Sequence, residues 1–136
     1  MRDFAKLRIY KFAQQAAVDV HVAFKRVEDH DDMSPGLMLE LSQATHQVCA
    51  KIGAAHTHRL DLDRCVENLA QSKSKAAECM VFLDLAQRMG YLSKDAKTPL
   101  WRSYRQLLDR LGRLIEKRLP YDDYFEGKDF GGDEDE

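Results

Sequence analysis

Residues 61–90 read DLDRCVENLAQSKSKAAECMVFLDLAQRMG, a run without proline and without glycine before its last position. Leu62, Leu69, Ala76 and Leu83 recur every seven residues, with Cys65 or Val66, Ser72, Cys79 or Met80 and Ala86 between them. Two interleaved rows at that spacing form one apolar stripe on a helix. At 1.5 Å per residue such a helix is roughly 40 Å long, so only comparably long helices can bury its stripe. The chain therefore predicts an all-α domain, and the rest of the sequence supplies three partners.

Before this run, Leu7, Tyr10, Ala13, Ala17, Val20, Phe24 and Val27 step by three or four, predicting a first helix from Asp3, its cap, to about Glu28. Phe4, Phe12 and Val18 fall off that stripe and widen its apolar arc. Ser34 and Pro35 suit the N-cap and first turn of a second helix. That helix carries Leu37, Leu41, Ala44, Val48, Ile52 and Ala55 toward His56–Arg59. Asp61 or Asp63 caps the long third helix, and Gly90 can take the left-handed conformation that ends it. Ser93 or Thr98 opens the fourth, and Thr98-Pro99 has the form of a cap followed by proline at the first helical position. Leu100, Tyr104, Leu107, Leu111, Leu114 and Ile115 give this helix its stripe, and Leu119-Pro120 stops it. Short turns between four helices predict an antiparallel up-and-down four-helix bundle over residues 1–119.

The chain has 136 residues, enough for one domain with a real core. From Tyr121 onward eight acids face the single Lys128, so this tail carries −7 and the rest of the chain +5, against a total of −2. Residues 120–136 combine acids with Gly127, Gly131 and Gly132, a composition that predicts disorder. The tail reads as solubility ballast or as a nucleic-acid mimic over a basic face. Three cysteines at predicted helical positions do not make a disulfide framework and suit a reducing cytoplasm. Charges interrupt the first residues every few positions, so neither a secretion signal nor a membrane span is expected.

The most informative charge pattern lies in the fourth helix. Arg102, Arg105, Asp109, Arg113 and Glu116 step along one face, and Arg110 and Lys117 extend it. Guanidinium groups make bidentate contacts with phosphate, so this arginine-rich helix is the candidate nucleic-acid-binding element. Lys11 and Lys51, with Lys6, Arg8, Lys73 and Lys75, are candidates to enlarge it. A solvated helix face is the structural alternative. Trp101 and Tyr104 offer rings for base stacking, against their use as core residues. His46, Cys49 and Cys65 allow a metal or ligand site on paper, but no Cys-x-x-Cys accompanies them, and no metal or other cofactor is expected. No phosphate-binding glycine loop or nucleophile motif occurs, so no enzyme activity is expected.

Two segments carry a family resemblance. Phe4, Leu7, Ile9 and Tyr10 match a Phe-x-x-Leu-x-(Val/Ile)-(Trp/Tyr) opening, and Ala76, Ala77, Glu78, Ala86, Met89, Gly90, Tyr91 and Leu92 match a run ending in Gly-Tyr-Leu. Together they resemble the bacterial four-helix-bundle proteins encoded in intervening sequences of ribosomal RNA genes. That family includes the accessory variability protein of diversity-generating retroelements. Residues 47–55 depart from its Ser-Ile-Pro-Ala-Asn-Ile-Ala-Glu-Gly motif: Val48, Ala50 and Ile52 keep its aliphatic positions, while Lys51 replaces the amide. The resemblance implies a homopentameric ring with a basic surface and no catalysis, and partnership with RNA or DNA and a retroelement reverse transcriptase. The rival expectation is a protein–protein scaffold without a nucleic-acid role.

Overall fold

Asp61 caps the longest helix of the computed structural model, which describes residues 7–27 and 35–117. Its carboxylate accepts a hydrogen bond from the Arg64 amide at 3.3 Å, and its extended backbone turns the chain into α3 (Leu62–Arg88). The other helices are α1 (Arg8–Val27), α2 (Pro35–Thr57) and α4 (Lys94–Lys117). No strand occurs among the described residues. Each helix packs on its neighbours in the chain and α4 closes the ring against α1, forming a four-helix bundle.

Pairs of contacts fix the helix directions. Ser72 of α3 donates to the Val48 carbonyl of α2 at 2.9 Å, and Lys97 of α4 meets Asp84 of α3 at 2.7 Å. Each contact joins residues about equally far on either side of a short turn, so α2 with α3 and α3 with α4 fold back as antiparallel pairs. At the end of α3, Gly90 has φ +86°. The Tyr91 amide donates to the Ala86 carbonyl at 2.8 Å and the Gly90 amide to Gln87 at 3.0 Å. This pair satisfies carbonyls that the helix end would leave bare, and it reverses the chain.

The predicted stripes of α2 and α4 are buried throughout, apart from a half-buried Ile115. In α3, Leu69, Ala76 and Leu83 are fully buried with Cys65, Ser72, Cys79 and Ala86. Leu62 is 37% exposed, contrary to the heptad, because it is the first residue after the cap and lies at the bundle's rim. Each fully buried leucine contributes about 2 kcal/mol of transfer free energy.

Of the two caps expected for α4, Ser93 is used and the helix starts at Lys94: the Ser93 hydroxyl accepts from the Ala96 amide at 3.1 Å, while Thr98 lies inside the helix and donates to the Lys94 carbonyl at 2.8 Å. Pro99 is therefore interior. It sacrifices the bond to the Asp95 carbonyl, which lies in an exposed first turn where water can replace it. In α1 the core takes Leu7, Ile9, Ala13, Ala16, Val20 and Phe24. Tyr10 and Ala17, expected in the stripe, are instead half-buried on the side facing α2. The proposed Asp3 and Ser34 caps, the Val27 side chain and the tail at 120–136 lie outside the described residues.

Candidate nucleic-acid interface

Because α4 runs antiparallel to α1, its C-terminal half lies beside the start of α1. The Arg110 guanidinium stacks over the Phe12 ring, 4.5 Å from its centroid. Burial, and then the neighbouring positive charges of Arg113 and Arg8, lower the pKa of Arg110. Three guanidinium groups from two helices thus share one field, with Arg8 and Arg113 exposed and Arg110 half-buried. Lys11 is half-buried and follows Arg8 by three residues, one helical step along the same face. Lys117 is exposed in the last turn of α4.

The remaining predicted cations are placed differently. Arg102 and Arg105 are exposed farther toward the start of α4. The Arg105 Nε lies 3.8 Å from Asp109, and both side chains are more than half exposed, so this pair offsets charge locally while adding little stability. Lys51 belongs to α2, which packs on α1 and α3 and lies diagonally across the bundle from α4. It does not join the arginine group. Lys73 of α3 does approach α4: its Nζ lies 3.4 Å from where a Cβ on Gly112 would sit.

The aromatic pair at the start of α4 does not form a stacking platform. Tyr104 is fully buried, and half-buried Trp101 packs on the core with the Lys97 ammonium 5.2 Å from its ring centroid. Burial raises the Tyr104 phenol pKa and pushes the Cys79 thiol up to about 12. Cys49 and Cys65 are each pushed up to about 11 by the same desolvation. All three cysteines are free. His46, Cys49 and Cys65 do not assemble into a site, and no cluster of three potential metal ligands exists among the described residues. None of the described helices is long and apolar enough to cross a membrane.

Sequence patterning singled out the arginines of α4 but missed the role of Phe12, whose ring supports one of them. An aromatic residue off the α1 stripe was the available signal. Convergence of Arg8 with Arg110 and Arg113 depends on the pairing of α1 with α4, which no local pattern contains. Comparison of the chain with protein-family models, with characterised proteins and with solved structures finds no match.

Proposed function

We propose that this chain is a non-catalytic nucleic-acid-binding accessory protein whose α1/α4 surface contacts the phosphate backbone. The carrying observation is the Arg110 guanidinium of α4 seated on the Phe12 ring of α1, with the charges of Arg113 and Arg8 near enough to lower its pKa. Grouped guanidiniums on a rigid scaffold attract a polyanion and offer bidentate hydrogen bonds to phosphate oxygens, independently of base sequence. Phe12 holds the Arg110 plane in place, so its orientation is set before contact. Arg102, Arg105 and Lys117 lengthen the track along α4, and Lys11 extends it on α1. In this reading the chain acts as a cyclic homo-oligomer, a pentamer according to the family resemblance, and serves a retroelement reverse transcriptase.

A protein–protein scaffold is the competing reading, supported by Val18 and Val22 of α1, which are 47% and 46% exposed. Binding of a structured RNA and of an equally long DNA duplex, followed across about 50 to 300 mM salt, separates the two. The proposed function expects affinity to fall steeply with salt. Replacing exposed Arg8 and Arg113 together by glutamate should weaken binding at least tenfold and flatten the logarithmic salt slope by about two. Absence of binding at low salt, or an unchanged affinity in the folded double variant, rules it out in favour of the scaffold.

A further inference from the structure

The seam between α1 and α2 is open. A cleft of about 840 Å³ runs along it, from Tyr10 and Thr57 at one end to Phe24 and Met38 at the other. Ala17 on one wall and Ala50 and Gly53 on the other are too short to fill the space between the helix axes. Its volume falls within the range of sites that enclose small molecules, roughly 300–1,000 Å³.

The chemistry of the lining restricts the occupant. Charged residues make up 32% of the chain, yet no Asp, Glu, Lys or Arg lines the cleft. A charged molecule entering would lose hydration and meet none of these four side chains as a counter-charge. An uncharged apolar molecule meets no such penalty. Polar side chains in the lining include Gln14 and His21 on α1 and, on α2, Ser42, His46, Thr57 and the buried Thr45. The Thr45 hydroxyl donates its proton to the Ser42 carbonyl at 2.7 Å, which leaves its oxygen lone pairs as acceptors.

We propose that the α1/α2 cleft is a binding site for an uncharged, largely apolar small molecule carrying a hydrogen-bond donor. This stands independently of the nucleic-acid interface, which lies where α1 meets α4. Titration of the full chain with the uncharged fluorophore Nile red tests it, with 1-decanol and decanoate as competitors of equal length and different charge. The expected result is saturable binding at one dye per chain, with decanol displacing the dye at least tenfold more effectively than decanoate. Ala17→Trp and Ala50→Trp, at half-buried and exposed positions, should each weaken dye binding at least tenfold while circular dichroism is retained. The proposal is overturned if binding does not saturate, if decanoate competes as well as decanol, or if folded Trp variants bind normally. Dye binding that disappears as chain concentration rises and returns on dilution also overturns it, and assigns the cleft to a second copy of the chain. The competitor pair decides the matter on the unaltered protein even if both Trp variants fail to fold.

Discussion

The Arg110 guanidinium lies 4.5 Å from the centroid of the Phe12 ring, which fastens the second half of α4 to the first turns of α1. The ring packs on the core from one side and supports a cation on the other. Structure and the proposed phosphate contact therefore share one side chain. Phe12→Ala should destabilise the protein by about 2 kcal/mol, below the 3–5 typical of a fully buried phenylalanine because the ring is only half-buried. Phe12→Leu keeps most of the apolar contact and should cost about 0.5–1 kcal/mol, the size of a partly exposed cation–π contact. Urea unfolding followed by helical dichroism measures both; a Phe12→Leu variant as stable as the parent would mean that the stacking contributes nothing of its own.

Gly90 and Gly112 should respond oppositely to alanine. At Gly90 a Cβ would meet nothing within 4 Å, yet φ is +86°, so Gly90→Ala should cost about 1–2 kcal/mol through backbone strain alone. Gly112 is inside α4, where alanine is the better helix former by up to about 1 kcal/mol. Its added Cβ would lie 3.4 Å from the mobile end of Lys73, which can shift. Gly112→Ala should therefore raise stability by about 0.5–1 kcal/mol. Thermal melts of the two variants provide the comparison, and a destabilised Gly112→Ala would show that the Lys73 tip is held in place.

The buried thiols make stability sensitive to alkali. In the folded chain burial raises Cys49 and Cys65 to about 11 and Cys79 to about 12, above the ordinary thiol value. Between about pH 9 and those values the unfolded chain releases protons that the folded chain retains, so stability falls as pH rises. The contribution is fully present below the ordinary thiol pKa and is lost through the folded values. The melting temperature should hold from pH 7 to 8.5 and decline between pH 9 and 11, less so in a Cys65→Ser, Cys79→Ala variant measured against its own neutral value. At pH 8 the thiols should react with an aromatic disulfide reagent about a hundredfold more slowly than in the urea-unfolded chain, since only the thiolate attacks.

Local chemistry was enough for much of this architecture. The seven-residue repeat from Leu69 to Leu83, the Asp61 cap and the Gly90 stop are short-range signals, and each has a structural counterpart at the same residues. The sequence left Ser93 and Thr98 as alternative caps of α4; Ser93, five residues earlier, is the one used, and an exposed first turn tolerates the bond that Pro99 omits. In α1, Tyr10 and Ala17 fit the periodicity as well as Ile9 and Ala16 do. Which set is buried depends on the helix's rotation against neighbours distant in the chain.

The sequence by itself determined that four amphipathic helices form, roughly where they end, and that α4 is rich in arginine, because periodicity, capping and charge act within a few residues. Only the tertiary structure decided that Arg8 joins Arg110 and Arg113 while Lys51 stands apart, and that Phe12 supports the group. Only it opened a cleft between α1 and α2 that no Asp, Glu, Lys or Arg lines. Those features arise where separate helices meet, and their geometry follows from packing side chains of unequal size, a property of the assembled core rather than of any one stretch.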